Sequence, residues 1–203
     1  MNTFEQALRN YFGKERLEKI QATRVGIAGL GGLGSNCAMA LVRSGFRKLT
    51  LCDFDVVEAA NLNRQWYFLN QIGLPKAEAL CANLLLINPD LEIIVASEKV
   101  TEHNATLLFS SCNVLVEAFD KAEEKQMLAR VFWKKDIFFV SASGLAGWGN
   151  ADSIVTRTVQ ENFVFIGDHR NEASPSLPPC APRVLVAAAK QADAILAWVL
   201  KNS

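Results

Sequence analysis

The sequence predicts an α/β fold: a doubly wound, mainly parallel sheet with a C-terminal antiparallel extension and a terminal helix. Three observations carry this. Short apolar runs alternate with helical patterns between residues 24 and 140, as βαβ units require. The first run ends in Gly29-Leu30-Gly31-Gly32-Leu33-Gly34-Ser35, and the second ends in Asp53, nineteen residues after Gly34. Past residue 150 the alternation gives way to two adjacent β patterns and one long alanine-rich segment. A glycine turn and a strand-end acid at this spacing mark a Rossmann-like unit, which binds ligands at the carboxyl ends of its strands.

Taken in order, the chain opens with an amphipathic helix over residues 4–20, its apolar residues Phe4, Leu8, Leu17 and Ile20 set among charges, with Gly13 as a break. Arg24 to Ala28 is the first strand. A helix follows from about Gly32 to Ser44 and stops at Gly45, the small residue that helix ends favour. Lys48 to Cys52 is the second strand. Beyond Gly73-Leu74-Pro75-Lys76, a helix runs from about Ala77 to Ile87 and Pro89 closes it off. Glu92 to Ala96 is the third strand, and a short helix lies near residues 104–110. The fourth strand, Val114 to Ala118, leads to Asp120; a helix from Glu123 to Trp133 precedes the fifth, Ile137 to Val140. Residues 153–159 and 162–166 read as an antiparallel hairpin, and residues 167–182 as a polar, proline-rich loop. The last helix, Val184 to Leu200, is apolar around most of its circumference, which predicts deep burial or cover by a second subunit.

All 203 residues are expected to form one domain, residues 1–203, and half of them are apolar. Lys+Arg and Asp+Glu balance at 21 each, so no net field draws the protein to nucleic acid or to an anionic membrane. Met1-Asn2-Thr3-Phe4-Glu5 lacks the features of a signal sequence. The apolar stretch Val184 to Ala189 is broken by Lys190, Gln191 and Asp193, so the reading is cytoplasmic. The five cysteines are odd in number and form no Cys-x-x-Cys pair, so no zinc is expected. Cys37, Cys52, Cys81 and Cys112 sit in apolar patterns as small hydrophobes. Cys180 alone lies where covalent chemistry is conceivable, although residues 178–182 contain no cation or histidine to lower its pKa.

Gly29, Gly31 and Gly34 allow a tight turn, a close phosphate and close helix–strand packing, and the helix start at Gly32–Ser35 offers N–H groups to an anion. By itself this turn fits any dinucleotide-binding protein. Asp53 stands where a carboxylate accepts ribose hydroxyls, with Asp55 as a structural or solvated neighbour. Asn61-Leu62-Asn63-Arg64-Gln65 then places a guanidinium and amides where a triphosphate, rather than a nicotinamide, would lie. A carboxylate attacking the α-phosphate of ATP is already ionised at pH 7 and needs no general base. Its barrier is electrostatic, and Arg64, Lys76 and a metal at Asp120 meet that need. Asp120 can hold Mg²⁺, or cap the helix that follows. Hydride transfer would need an acid/base residue, and only His103, read as a surface residue, and His169, in the polar loop, are available. Trp66, Tyr67 and Phe68 are read as core or wall residues.

With these residues in place, the chain resembles the adenylating enzymes that activate ubiquitin-like sulfur carrier proteins, the ThiF and MoeB group. Within that group it is most similar to the short ThiF-type proteins that act on the thiamine-pathway carrier, ThiS. The likeness runs from Arg24 to Lys76, through Val114–Asp120 and Ser141–Gly144, to Ala181-Pro182-Arg183-Val184. It implies ATP contacts from Gly32 and the rest of the glycine loop, ribose binding by Asp53, and phosphate contacts from Asn61, Arg64 and Lys76. It also implies Mg²⁺ at Asp120. The nucleotide-binding set is thus Gly29, Gly31, Gly32, Gly34, Asp53, Asn61, Arg64, Gln65 and Lys76; the catalytic set is Arg64, Lys76 and Asp120.

The implied activity is ATP- and Mg²⁺-dependent adenylation of the C-terminal glycine of a small ubiquitin-like carrier ending in Gly-Gly, in thiamine thiazole biosynthesis. The implied assembly is a homodimer in which an arginine of the opening helix, Arg9 or Arg16, reaches the neighbour's ATP. Three departures stand out: Ala60-Asn61 replaces Ser-Asn, Asp120-Lys121 replaces Asp-Asn, and the paired zinc cysteines and a clear counterpart of the catalytic cysteine of longer relatives are missing. The alternatives are adenylation of the molybdopterin carrier or a tRNA-linked acid, an NAD-binding oxidoreductase, and an inactive subunit that only docks a ubiquitin-like protein.

Overall fold

A computed structural model describes residues 1–168, 174 and 176–201. The strands β1 (Arg24–Ala28), β2 (Lys48–Cys52), β3 (Glu92–Ala96), β4 (Val114–Glu117), β5 (Phe138–Ala142), β6 (Val155–Gln160) and β7 (Phe163–Gly167) form one sheet in the order β3-β2-β1-β4-β5-β7-β6. Every neighbouring pair is parallel except β6 with β7. The predicted fold class is the one observed, with the hairpin as its antiparallel extension. Strand order reverses beside β1, so a crevice opens between the carboxyl ends of β1 and β4.

The helices are α1 (Thr3–Phe12), α2 (Lys14–Ala22), α3 (Gly32–Arg43), α4 (Lys76–Leu85), α5 (Ala105–Leu108), α6 (Ala122–Phe132) and α7 (Ala181–Lys201). The predicted opening helix is two helices, because Gly13 takes a left-handed φ of 80°. Buried Glu5 fastens α1 to the amino ends of β2 and β3. It lies 3.7 Å from the Arg47 guanidinium and accepts from Asn88 Nδ2 at 3.2 Å.

Strand alternation sorts side chains onto two faces. Val25, Ile27, Leu49, Leu51, Val116 and Val140 pack toward α3 and α7. Leu115, Phe139 and Phe163 pack instead with Phe109, Leu128 and Phe132 of the α5–α6 side. Each such buried side chain contributes roughly 1.5–3 kcal/mol of transfer free energy.

The long helix α7 lies along α3 and buries a stripe that includes Val184, Ala188, Gln191, Ile195 and Val199. Leu185, Ala189 and Asp193 on its other face are exposed. The helix is thus apolar around most of its circumference, with one stripe buried and Leu185 and Ala189 left exposed on the other face beside Asp193. No described helix is long and apolar enough to cross a membrane.

Candidate functional site

The β1–α3 turn is built by sterics. Gly29 has φ +88°, and a Cβ there would stand 2.8 Å from the Ala118 carbonyl oxygen. A Cβ on Gly34 would stand 1.9 Å from the Gly29 carbonyl oxygen. These two glycines serve the turn and do not line the cleft that opens above it. Gly31 and Gly32 do line it. Gly31 caps α3 without a side-chain hydrogen bond, which leaves the first N–H groups of a 12-residue helix open to an anion.

Asp53 closes β2 and faces the turn. Its Oδ2 accepts the Leu30 N–H at 2.6 Å and its Oδ1 the Asp55 N–H at 2.8 Å. Burial raises its carboxyl pKa above the ordinary value, against the pull of those two N–H groups and of Lys76. Each oxygen keeps a lone pair, so a ribose hydroxyl can still donate to it.

Lys76 begins α4, is buried, and places Nζ 2.8 Å from Asp55 Oδ2. The Val56–Pro75 bridge and the Lys76 N–H to the Asp55 carbonyl (2.9 Å) hold the two segments together. Asp55 is thus the structural neighbour of the two readings given for it.

The Arg64 loop is tied down on α3. Asn36 Nδ2 donates to the carbonyls of Gly32 (2.7 Å) and Arg64 (2.8 Å), and Ser35 Oγ accepts the Trp66 N–H (3.0 Å). The Arg64 guanidinium rests on Asn63 Oδ1 at 2.7 Å and the Ala60 carbonyl at 3.3 Å, both within its own loop. Gln65 is buried, lines the cleft, and its Oε1 has no hydrogen-bond partner. Asn61 is not brought into the cleft. Its Oδ1 accepts the Glu58 N–H at 3.0 Å and closes the 3₁₀ turn Ala59–Asn61.

Across the cleft, Asp120 is exposed at the rim beyond β4. The α6 cap is Lys121, without a side-chain bond, so Asp120 does not serve as the helix cap. Phe54, Phe119, Leu145, Pro179 and Val184 supply apolar wall, Lys121 and Glu124 a charged margin, to a cleft of about 300 Å³. That is the lower end of the range for small-molecule sites.

The donor set fits a nucleotide: a strand-end carboxylate for a ribose, a helix start and two cations for phosphates, and an unpaired amide. It also fits Mg²⁺, a hard ion that takes one or two carboxylates and leans on phosphates, with Asp120 as the carboxylate. Among the described residues no group of three or more His, Cys, Asp or Glu could hold a metal by itself.

Neither Arg9 nor Arg16 lines this cleft, and both are exposed. Tyr67 is buried with its hydroxyl on the Leu30 carbonyl at 2.8 Å, Trp66 packs against the core, and Phe68 is exposed. Cys37 and Cys52 are buried and Cys81 and Cys112 half-buried; the Cys52 thiol is pushed up to about 12, chiefly by burial. Cys180 is half-buried and does not line the cleft, although Pro179 beside it does. His103 is exposed in a turn, and His169 lies outside the described residues.

Glu117 also belongs to the surroundings of the site. It is 0% exposed at the end of β4, and its carboxylate meets Lys125, Ser141 and the Phe119 N–H. The available signal was an acid closing an otherwise apolar strand, Val114-Leu115-Val116-Glu117. Arg183 and Asp168 form a second buried ion pair, and Arg183 also donates to the carbonyls of Gly149 (2.6 Å) and Asn150 (2.9 Å).

Comparison with known proteins identifies the family and the fold. A family model described as the ThiF family matches residues 4–202. The tRNA threonylcarbamoyladenosine dehydratase of Bacillus subtilis is 35% identical over 136 residues, 66% of this chain and 54% of that protein. Ubiquitin-like modifier-activating enzyme 5 of Caenorhabditis elegans is 45% identical over 84 residues, 41% of this chain and 20% of that protein. The chain thus spans about half the length of the former relative, and a fifth of the latter. Among solved structures, the Escherichia coli dehydratase TcdA in complex with ATP superposes with a TM-score of 0.88 at 20% identity, covering 97% of this chain and 93% of that one. Escherichia coli MccB with ATP gives 0.72 at 21% identity, covering 100% and 65%.

Proposed function

Because the chain belongs to the ThiF family, we propose that it is an ATP- and Mg²⁺-dependent adenylyltransferase that converts a carboxylate into an acyl-adenylate. One observation carries this reading: buried Asp53, the open start of α3, Lys76, Arg64 and Asp120 all face a single cleft. In the reaction a carboxylate oxygen attacks the α-phosphorus, the bond to the β,γ-pyrophosphate breaks, and pyrophosphate leaves with the electron pair. Asp53 holds the ribose, the α3 start binds phosphate oxygens, Gln65 Oε1 is left to accept from a donor on the nucleotide, and Lys76, oriented by Asp55, with Arg64 offsets charge as an anion approaches a polyanion. Asp120 would hold Mg²⁺, which would supply Lewis-acid stabilisation to the phosphates. Hydride transfer finds no histidine among the described residues that line the cleft.

For the substrate we propose the C-terminal glycine of a small ubiquitin-like sulfur carrier of the ThiS kind, serving thiamine thiazole formation. The likeness to ubiquitin-like modifier-activating enzymes and the neutral charge balance support it. A tRNA-linked carboxylate is the second reading, favoured by the likeness to tRNA threonylcarbamoyladenosine dehydratases. A homodimer remains part of the proposal, with exposed Arg9 or Arg16 reaching the neighbour's cleft.

ATP–pyrophosphate exchange tests the reading. Exchange stimulated by a Gly-Gly-ended carrier supports it, and stimulation by modified tRNA alone selects the second substrate. Micromolar NAD binding without ATP binding in a calorimetric titration would overturn both.

A further inference from the structure

We propose that Glu117 and Lys125 are positioning residues that hold the Ala118-Phe119-Asp120 turn in the shape that presents Asp120 to a nucleotide-bound Mg²⁺; this rests on the adenylation reading above.

The observations begin with a shortage of partners. The Ala118 N–H makes the last bond to the neighbouring strand, donating to the Ala28 carbonyl at 2.9 Å. The next donor along, the Phe119 N–H, has left the ladder. It donates to Glu117 Oε1 at 2.7 Å, a bond that turns the chain toward the cleft one residue before Asp120. A carboxylate that bends its own backbone in this way must itself be held.

Lys125, a turn into α6, holds it: Nζ lies 3.0 Å from Oε1 and 3.2 Å from Oε2. The same Nζ donates to the Ala142 carbonyl at 2.8 Å, which uses its third proton. Ser141 Oγ donates to Oε2 at 2.6 Å, and from the other face of the sheet Gln191 Nε2 donates to the Glu117 carbonyl at 3.3 Å. The turn is therefore gripped from β5, α6 and α7 at once.

A buried ion pair is not the economical way to stabilise a core, since apolar residues of similar volume often do as well or better. What apolar residues cannot do is accept the Phe119 N–H. The pair fixes a direction for the backbone, and the residue that gains from that direction is Asp120. Neither Glu117 nor Lys125 lines the cleft, so their effect passes through the turn.

The test reads Mg²⁺ dependence of ATP binding by calorimetry. Glu117→Leu with Lys125→Met removes both charges and the acceptor of the Phe119 N–H together and leaves no lone buried ion. In this double variant the Mg²⁺ concentration for half-maximal ATP binding should rise at least tenfold, while ATP binding in the presence of a chelator changes less than twofold. Hydrogen exchange at the Phe119 amide, read without any nucleotide, should quicken at least tenfold. On an Asp120→Ala background the same replacements should leave Mg²⁺ dependence unaltered. Ser141→Ala keeps the ion pair and should shift the Mg²⁺ midpoint about threefold, which covers a double variant that fails to fold.

An unchanged Mg²⁺ midpoint in a folded double variant, or in Ser141→Ala if the double variant is unfolded, would overturn the proposal. So would an equal loss of ATP binding with and without Mg²⁺. Wild-type ATP binding with no Mg²⁺ dependence would instead sink the metal role of Asp120 and this inference with it.

Discussion

The two turns that face each other across the cleft are held in shape by different physics. On the β1 side, Gly34 sits against the Gly29 carbonyl so closely that no side chain fits, and the turn is fixed by exclusion. On the β4 side, a 0% exposed carboxylate and an ammonium fix the turn by attraction. The first arrangement is insensitive to charge but intolerant of a single methyl group. The second accepts modest changes of shape but not the loss of one partner. Two routes thus lead to one requirement, a backbone that cannot relax away from a polyanion.

The comparison breaks most visibly at Lys125. Lys125→Met alone leaves Glu117 buried and unpaired, and removing one partner of a buried pair costs about 3–5 kcal/mol. Urea unfolding should show that loss; a change under 1 kcal/mol would mean that the pair is not what closes the second turn. Next in size are the groups the two sides present. Arg64→Ala and Asp120→Ala should each slow adenylate formation about a hundredfold or more, the scale for removing a preorganised group that meets transition-state charge. Their unfolding midpoints should stay near wild type, and near-normal pyrophosphate exchange in both would refute the assignment.

Gly34→Ala should cost about 1–3 kcal/mol, as overpacking does, and should abolish ATP binding because the α3 start moves with the turn. Full affinity in that variant would show the turn to be less constrained than its 1.9 Å approach requires. The smallest effect belongs to Asn61→Ala. It removes the bond that closes a 3₁₀ turn, worth about 1 kcal/mol by analogy with helix caps. ATP affinity should change less than threefold in titration, and a tenfold loss would return Asn61 to the phosphate site.

What the sequence made legible follows the same division. The glycine turn, Asp53 and Lys76 are local signals, because each acts from a strand end or a helix start that periodicity locates well. Asn61 was assigned by its place in a motif, yet its oxygen is claimed three residues upstream by the Glu58 N–H. The pairing of Lys76 with Asp55 spans 21 residues, and that of Arg183 with Asp168 joins the start of α7 to the end of β7. Neither pairing follows from spacing, since each depends on where the fold brings a helix start to a strand end. Glu117 is the instructive omission: it lies inside the predicted strand Val114 to Ala118, and only the burial of β4 reveals that its charge needs a partner. For α7 the sequence shows an apolar circumference, but which stripe is buried depends on where α3 lies, so exposure of Leu185 and Ala189 could not be read from it.

The wall contributed by α7 has a consequence for the order in which the molecule becomes competent. Val184 Cγ1 lies 2.9 Å from where a Gly32 Cβ would stand, so the cleft is bounded by residues about 150 positions apart. Closing so long a loop is entropically slow, and contacts of such sequence separation form late. A chain emerging from the ribosome with its glycine turn already folded would lack Pro179 and Val184 from the cleft wall. On the proposed reading, the cleft is complete only once the sheet is whole and α7 has docked, and ATP retention would then report finished folding.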